Sequence, residues 1–367
     1  MIPINAPQIG EEEIQAVIKV MKSGGLTHGI GAGPMVTEFE KSFAKFVQAK
    51  HAIAVNTGTA ALHASLAVAG VQADDEVILP SFTFVATAEP VVMLGAKPVF
   101  VDINPETYNI SLDAIEKAIT KKTKAIMPVD LYGLPADVLH MRKLADKHGL
   151  VIIEDAAQAH GGICKGKPAG SFADIACWSF YASKNMTTGE GGMITTNNGK
   201  FAEKLRWMRS HGEKVKYESL MLGHNYHMPE IEAAIGCKQI KRLPEFLAKR
   251  RRNARRLAHK LASAKKLILP TEPRGYRSSW YLYTVRLKDG RKETRDKIVA
   301  KLKQEGIGAE VYYVNPIHMM KFYSKFGKRR LSETEKASKQ VFSLPVHPGV
   351  TPKQIDFISE TLLRLLK

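Results

Sequence analysis

Three polar groups in this 367-residue sequence follow predicted buried strands, and together they could bind and activate a carbonyl compound. The first is Lys184, which comes shortly after the apolar run IACWSF at 175–180 and before a glycine-rich turn. A lysine on a loop is usually solvated. A lysine held in a dry pocket instead has a lowered pKa, and its free amine attacks carbonyls to form a Schiff base. Which interpretation applies depends on the residues that surround Lys184 in the fold.

Asp155 and the turn around Gly58 are the other two groups. Asp155 comes just after the apolar run at 150–153, and a carboxylate there is rarely left without a partner, either a helix N-terminus or a cation. Gly58 and Thr59 open a helix after the apolar run at 52–55. The N-terminus of a helix binds anions readily, although Gly-Thr at such a place often serves only as a cap.

The elements that must position these groups alternate between strands and helices. Apolar runs typical of buried strands occur at 52–55, 76–79, 97–101, 124–129, 150–153, 175–180 and 192–195. Segments with apolar residues at helical spacing separate most of them. The pattern predicts an α/β fold with a large three-layer α/β/α domain and a mostly parallel sheet. Ligands of such sheets bind beyond the carboxyl ends of the strands, where all three groups lie.

A smaller α/β unit is predicted at the C-terminal end. Strands are expected at 281–287 and 309–313, and helices at 295–305 and 351–367. A further helix should begin at Pro229, which suits a first helical turn, and continue into a basic segment, with Pro244 as a candidate break. We place a large catalytic domain at 1–247 and a small domain at 248–367.

An anion site, a buried carboxylate and a lysine at one sheet edge match what pyridoxal 5'-phosphate requires of a protein. The phosphate would sit on the helix N-terminus, the pyridinium nitrogen needs a negative partner, and the lysine holds the aldehyde. The residues therefore predict a pyridoxal phosphate site with Lys184 and Asp155 as catalytic residues.

The sequence as a whole resembles the DegT-type family of sugar aminotransferases, which are fold-type I pyridoxal-phosphate enzymes. The resemblance runs nearly end to end and is specific because several motifs occur together in order. They are GTAAL at 58–62, PSFTFVAT at 80–87, LYG at 131–133, EDAAQ at 154–158, SFYASK at 179–184, GEGG at 189–192 and GHNY at 223–226.

The resemblance implies a role for each matching residue. Lys184 is the Schiff-base lysine, and Asp155 pairs with the pyridine nitrogen and keeps the ring protonated. Phe84 stacks on the ring, and Gln158 lies near the ring hydroxyl. The phosphate would be bound by Gly58, Thr59 and Ser179 and, from a neighbouring subunit, by Asn225. The resemblance therefore implies a homodimer with shared active sites.

Departures from the family concern the substrate more than the cofactor. Asp130 stands where the family often has histidine, Ala182 where many members have proline, and His227 where arginine is usual. We expect Asp130 and His227 to contact the substrate. Further contacts are expected on loops that resemble the sugar- and nucleotide-facing loops of the family, at Thr27, Tyr312 and His318. For the last two, a satisfied polar pair at a strand end is an equal alternative.

The resemblance also implies the reaction. Relatives that remove a hydroxyl group have histidine in place of the lysine, so Lys184 indicates transamination. Glutamate would donate the amine, and the acceptor would be a keto sugar on a nucleotide diphosphate, commonly a 4-keto-6-deoxyhexose, which yields an amino sugar for polysaccharide, glycan or secondary-metabolite synthesis. Two alternatives remain: an aminocyclitol aminotransferase acting on a keto-inositol, and a cofactor-binding regulator.

Composition argues against several other classes. The formal net charge is +18, and nine lysines and arginines lie at 241–260. We favour a solvated helix face over steering of a phosphate-bearing substrate, and both over nucleic acid, because no aromatic residue alternates with the charges. No membrane segment or signal peptide is expected, and three scattered cysteines fit a reducing cytoplasm. The pairs His224 with His227 and His160 with Cys164 lack further ligands, so no metal site is expected.

Overall fold

Strands and helices alternate along the first two thirds of the chain in the computed structural model, which describes residues 1–29, 31–327 and 329–367. The strands are β1 (His51–Val55), β2 (Glu76–Pro80), β3 (Lys97–Val101), β4 (Thr123–Ile126), β5 (Val151–Asp155), β6 (Ile163–Cys164), β7 (Lys167–Pro168), β8 (Ile175–Ser179), β9 (Gly192–Thr196), β10 (Glu213–Val215), β11 (Glu218–Ser219), β12 (Leu267–Ile268), β13 (Tyr276–Arg277), β14 (Tyr283–Leu287) and β15 (Val341–Leu344). The α-helices are α1 (Glu11–Ser23), α2 (Pro34–Val47), α3 (Gly58–Val68), α4 (Glu89–Met93), α5 (Leu112–Glu116), α6 (Val138–His148), α7 (Gly199–Arg209), α8 (Glu230–Leu261), α9 (Lys292–Gln304), α10 (Ser332–Gln340) and α11 (Pro352–Leu365).

Seven strands form the central sheet in the order β1-β9-β8-β5-β4-β2-β3. Five of them, β3, β2, β4, β5 and β8, run parallel to one another. Strand β9 is antiparallel to both β1 and β8. The prediction of a mostly parallel sheet is therefore confirmed.

Helices cover both faces of this sheet because alternate residues of each strand point to opposite faces. In β1, Ile53 and Val55 pack into the core beneath α3, α4 and α7. Ala52 and Ala54 pack into the opposite core with α2 and the first half of α8. Helices α5 and α6 complete that second layer. The predicted three-layer α/β/α arrangement is confirmed.

A smaller antiparallel sheet, β12-β14-β15, forms the core of the C-terminal region with α9, α11 and the second half of α8. Helix α8 is continuous through Pro244, so the predicted break at that residue is wrong. A proline removes one helical hydrogen bond, but Leu243 and Phe246 on either side are buried, and their packing holds the helix together. The boundary at 247/248 falls inside this shared helix and stays a prediction.

Two other segments differ from the predicted elements. Residues 309–313 form no continuous strand, because Glu310 alone pairs with Ser343 and the chain then turns at Tyr312. The segment of helical spacing that separates the strands predicted at 76–79 and 97–101 divides into a short 3-10 turn at Val85–Thr87 and α4. Within the described ranges, no helix combines the length and the apolar character needed to cross a membrane.

Candidate active site

The carboxyl ends of β2, β4, β5 and β8 meet at one edge of the central sheet and bring polar side chains together. After β2, Thr87 donates a hydrogen bond from Oγ1 to Asp155 Oδ2 at 2.8 Å. After β4, the backbone N–H of Tyr132 donates to Gln158 Oε1 at 2.7 Å. After β8, the positive charge of Lys184 is close enough to lower the pKa of Asp155. The structure thus gathers Lys184, Asp155 and Gln158 at the predicted edge.

Asp155 is a buried carboxyl group with few partners. It is 6% exposed, and its Oδ1 accepts the backbone N–H of Ala157 at 3.2 Å. Burial raises the pKa of Asp155, and the hydrogen bonds from Thr87 and Ala157 and the charge of Lys184 offset this rise. A cation hydrogen-bonded to the carboxylate would remove the cost of burying it. The protonated nitrogen of a pyridine ring is such a cation.

Lys184 lies in the turn after β8 with its amine over an aromatic ring. Its backbone N–H donates to the carbonyl oxygen of Tyr181 at 2.9 Å. Its Nζ lies 4.8 Å from the ring centroid of Tyr281. The hydroxyl of Tyr281 bonds Ser183 Oγ at 2.9 Å. Because the face of an aromatic ring attracts a cation, Tyr281 holds the lysine side chain at the site.

Arg250 fixes Tyr281 in turn, and neither residue was identified from the sequence. Arg250 lies on α8, is 2% exposed, and donates from one guanidinium nitrogen to the carbonyl oxygens of Trp280 and Tyr281 at 3.2 and 3.1 Å. Burial lowers its pKa to about 10, so it remains charged at neutral pH. Arg250 belongs to the basic segment interpreted as a solvated face, and no local spacing in the sequence signals its contact with residue 281.

The start of α3 and the end of β8 form a narrow cradle. Thr57 caps the helix, because its Oγ1 accepts the backbone N–H of Ala60 at 3.0 Å. A Cβ atom on Gly58 would lie 2.8 Å from Ser179 Cβ, so only glycine permits this approach. The remaining N–H groups of the first helical turn, with the hydroxyls of Thr59 and Ser179, suit an anion.

Phe84 presents an aromatic surface at the same edge of the central sheet as the cradle. It is 57% exposed, and its ring lies 6.2 Å from that of Tyr313. The hydroxyl of Tyr313 accepts a hydrogen bond from Gln158 Nε2 at 3.2 Å. An exposed aromatic face can stack on a flat ring, so these three residues suit one side of a planar cofactor.

These residues fit pyridoxal phosphate. Among the described residues, no cation hydrogen-bonds Asp155, which leaves its buried carboxyl group suited to a ring nitrogen. Because Gly58 has no side chain, it can lie close to Ser179 and leave the N-terminus of α3 open to a phosphate. Lys184 Nζ is held at the same edge, where an aldehyde can reach it.

Asp130 does not face the site, so the direct substrate contact expected from the sequence is corrected. Its side chain is 0% exposed, and its Oδ1 accepts the backbone N–H of Ala136 at 2.7 Å. The turn at Leu131–Gly133 folds over the side chain and directs its carboxyl group toward Glu154.

Within the described chain, no contact joins Lys184 to His227, Asn225 or Thr27. His227 is half-buried and its Nε2 bonds Ser210 Oγ at 2.9 Å, and burial lowers its pKa. Asn225 is exposed, and its Oδ1 accepts the backbone N–H of His227 at 3.4 Å. Thr27 is exposed. Their contributions to the site, those of Asn225 and His227 across a subunit interface, stay predictions.

His318 is a buried polar group with one hydrogen-bonded ring nitrogen, and its contact with the substrate stays a prediction. It is 8% exposed, its Nδ1 bonds Ser81 Oγ at 2.7 Å, and its Nε2 lies 3.5 Å from a carboxylate oxygen of Glu335. Tyr312 accepts a hydrogen bond at its backbone carbonyl from the hydroxyl of Tyr132, while its own side chain is half-buried. Tyr312 stays a predicted substrate contact.

One histidine of each pair considered for metal binding, His160 and His224, is engaged in aromatic packing. His160 is fully buried against Trp178 and Phe180, and burial lowers its pKa to about 3. His224 stacks on Tyr226, with ring centroids 4.8 Å apart. In the described part of the chain, no group of three or more histidine, cysteine, aspartate or glutamate residues is arranged to hold a metal.

Comparison with known proteins extends these observations. The model of the DegT/DnrJ/EryC1/StrS aminotransferase family matches residues 7–363. The chain is 39% identical to the GDP-perosamine synthase of Caulobacter vibrioides over 368 residues, which cover 100% of this chain and 98% of that protein. It is also 39% identical to the UDP-N-acetyl-3-dehydro-alpha-D-glucosamine 3-aminotransferase of Acidithiobacillus ferrooxidans over 317 residues, 86% of this chain and 84% of that protein.

Solved structures match the fold along its whole length. A protein from Streptococcus pneumoniae assigned as a sugar aminotransferase, in its PLP form, superposes with a TM-score of 0.94 at 30% identity and covers 100% of this chain and 98% of that chain. Its PMP form gives the same TM-score and covers 97% of that chain. The similarity therefore includes every strand end at which the site residues lie.

Proposed function

Because the chain belongs to the DegT/DnrJ/EryC1/StrS aminotransferase family, we propose that it transfers the amino group of glutamate to a keto sugar carried on a nucleotide diphosphate, with pyridoxal phosphate as cofactor. The observation that carries this proposal is the meeting of Lys184, Asp155 and the Gly58–Ser179 cradle at one sheet edge. Two similar proteins, named for a GDP-linked and a UDP-linked sugar, support a nucleotide sugar as acceptor.

Each site residue has a physical task in such a transfer. Pyridoxal phosphate, when bound, supplies an electron sink that stabilises negative charge next to the amino nitrogen. Asp155 keeps a proton on the ring nitrogen, since its buried carboxylate needs a cationic partner. Lys184 takes up and returns a proton at Nζ, and the ring of Tyr281 keeps that atom at the site. Phe84 and Gln158 orient the flat ring.

We propose a 4-keto-6-deoxyhexose as the acceptor. This choice rests on residues 23–29 and 312–318, which resemble the sugar- and nucleotide-facing loops of the family. His227 is the departure to test, because a neutral imidazole replaces a permanent cation there. We expect His227→Arg to change the ratio of kcat/KM between GDP-linked and UDP-linked keto sugars. An unchanged ratio would remove His227 from the substrate site.

A dimer with shared sites is part of the proposal. If Lys184 of one subunit works with Asn225 of its neighbour, Lys184→Ala and Asn225→Ala proteins should each be impaired. Mixing and reassembling the two should restore activity, because one site of each mixed dimer receives both natural residues. Failure of the mixture, with mixed dimers shown by mass spectrometry, would contradict shared sites.

Aminocyclitol amination is the alternative within the same chemistry, and one experiment separates the two. The pyridoxamine form of the protein is mixed with a panel of nucleotide keto sugars and with a keto-inositol, and the visible absorbance of the pyridoxal form is followed. We expect a nucleotide keto sugar to restore the absorbance. If a keto-inositol alone restores it, the proposed acceptor class is wrong. A purely regulatory role is disfavoured, because Lys184, Asp155 and Gln158 are together at the site.

A further inference from the structure

Two carboxyl groups lie together beneath the candidate site, where neither can be solvated. Asp130 is 0% exposed and Glu154 is 2% exposed. Asp130 follows β4, and Glu154 lies in the adjacent strand β5. The backbone N–H of Asp130 donates to the carbonyl oxygen of Asp155 at 3.0 Å, which fixes the two segments side by side.

Each carboxyl group uses one oxygen to accept a backbone N–H. Ala136 donates to Asp130 Oδ1 at 2.7 Å, and Gly170 donates to Glu154 Oε1 at 2.9 Å. The second oxygens, Asp130 Oδ2 and Glu154 Oε2, are buried and have no hydrogen-bond partner among the described residues. The two carboxyl groups are close enough for the charge of Glu154 to raise the pKa of Asp130. Ionised carboxylates only accept hydrogen bonds, so neither second oxygen can be a partner for the other unless one of the two groups holds a proton.

We propose that Asp130 and Glu154 share one proton at neutral pH, and that the protonated pair holds the turn at 131–136 in the position that presents Gln158 and Asp155 to the cofactor. The shared proton is inferred from the two buried oxygens that lack a donor on adjacent segments of the sheet, whereas the effect on the cofactor rests on the proposed function. Asp130 is thus a positioning residue.

The surroundings favour one proton over two negative charges. Burial raises the pKa of Asp130 well above its ordinary range, and the negative charges of Glu154 and Asp155 raise it further. Burial also raises the pKa of Glu154, and the neighbouring carboxyl group of Asp130 opposes this rise. The other titratable groups beside the pair are the thiols of Cys164 and Cys177, whose pKa values burial raises. None of these neighbours supplies a cation to offset a second carboxylate.

The turn after β4 connects the pair to the site. The bond from Ala136 to Asp130 closes this turn. Within it, Tyr132 donates its backbone N–H to Gln158 Oε1, and Leu131 donates to the side-chain oxygen of Asn109 at 2.9 Å. Loss of the proton would place two repelling carboxylates at the base of the turn, so Gln158 would lose its fixed orientation.

The shared proton gives the folded protein a definite pH dependence. The unfolded chain releases this proton above about pH 4, while the folded pair retains it. The stabilisation is therefore complete at acid pH and is lost as the pH rises through the raised pKa of Asp130. Asparagine at position 130 supplies an amide N–H in place of the proton, so Asp130→Asn should remove this dependence.

Infrared difference spectroscopy of the cofactor-loaded protein at neutral pH tests the shared proton. We expect the carbonyl stretch of a protonated carboxyl group in the wild type and its loss in Asp130→Asn and in Glu154→Gln. Glu13→Gln is the matched control, because Glu13 is 1% exposed but paired with Arg242 at 2.7 Å and should leave the band unchanged. A missing band in the wild type, or a metal ion retained in stoichiometric amount between the two carboxylates, would overturn the proposal.

Cofactor retention against pH tests the positioning role without measuring amino transfer. The wild type should lose cofactor on the alkaline side, and Asp130→Asn should retain it there. Asp130→Leu, which fills the space but leaves Glu154 Oε2 without a partner, should retain less cofactor at every pH. If Asp130→Asn and the wild type lose cofactor at the same alkaline pH, the positioning role is wrong, whatever sugar the enzyme accepts.

Discussion

Thr87→Val should weaken cofactor binding although Thr87 touches no predicted cofactor atom. Thr87 is 1% exposed and donates to Asp155 Oδ2 at 2.8 Å, while its Oγ1 also lies 3.1 Å from Thr83 Oγ1. Valine has nearly the same shape but no hydroxyl. The substitution therefore removes the hydrogen bond and leaves packing almost unchanged.

The size of the effect follows from the charge on Asp155. Without a cationic partner the buried carboxyl group has a raised pKa and can take a proton, whereas a ring nitrogen requires the carboxylate. A hydrogen bond to a charged group contributes about 1.5–3 kcal/mol. Since about 1.4 kcal/mol corresponds to a tenfold change in affinity, we expect a loss of about 10- to 100-fold.

The assay is a titration of the cofactor-free protein with pyridoxal phosphate, followed by visible absorbance. Thr87→Ser keeps the hydroxyl and is the control, with affinity expected close to wild type. In an Asp155→Asn background, Thr87→Val should have little further effect, because the charge that it supports is gone. Equal losses in both backgrounds, or wild-type affinity in Thr87→Val, would refute the reasoning.

Three further predictions concern the cradle, the lysine and acid stability. Gly58→Ala should reduce phosphate and cofactor affinity more than Ser179→Ala, because the new Cβ at position 58 would lie 2.8 Å from Ser179 Cβ. Equilibrium titration of both variants compares the two losses of affinity. Tyr281→Leu should slow the glutamate half-reaction by about 2- to 30-fold, because a cation–π contact contributes about 0.5–2 kcal/mol. Tyr281→Phe keeps the ring and should keep most of the rate. Stopped-flow absorbance measures both variants. Burial lowers the pKa of His63 to about 4, so unfolding takes up a proton and stability should fall as the pH drops from about 6.5 to about 4. His63→Gln should flatten that fall in denaturation midpoints measured against pH, and an unchanged slope would contradict it.

The elements that carry the site could be predicted because their signals are local. Apolar runs of strand length locate the ends of the strands, and parallel strands place those ends at one edge. Lys184, Asp155 and Gly58 each come within a few residues of the end of such a run. Their types then restrict the chemistry, and the motifs around them identify the family.

The residues that support the site could not be predicted, because their contacts join distant segments. Thr87 meets Asp155 across 68 positions, and Arg250 meets Tyr281 across 31. Neither threonine nor a member of a basic run has a distinctive sequence signal. A buried arginine is found only when the fold shows which carbonyl oxygens it satisfies.

Tertiary packing also decides the misjudged elements. Pro244 predicts a break from local propensity, but buried residues on both sides keep α8 continuous. Asp130 follows a strand as the site residues do, yet the turn after it covers the side chain completely. Position at a strand end therefore predicts nearness to the site and not exposure to it.

Transfer of nitrogen-15 from glutamate to a nucleotide keto sugar is the most direct test of the proposed function. The reconstituted protein is incubated with labelled glutamate and the panel of keto sugars, and the products are examined by mass spectrometry. We expect a labelled amino sugar with the wild type and none with Lys184→Ala, whose fold is checked by circular dichroism. Equal label with Lys184→Ala, or label that reaches a keto-inositol and no nucleotide sugar, would contradict the proposed function.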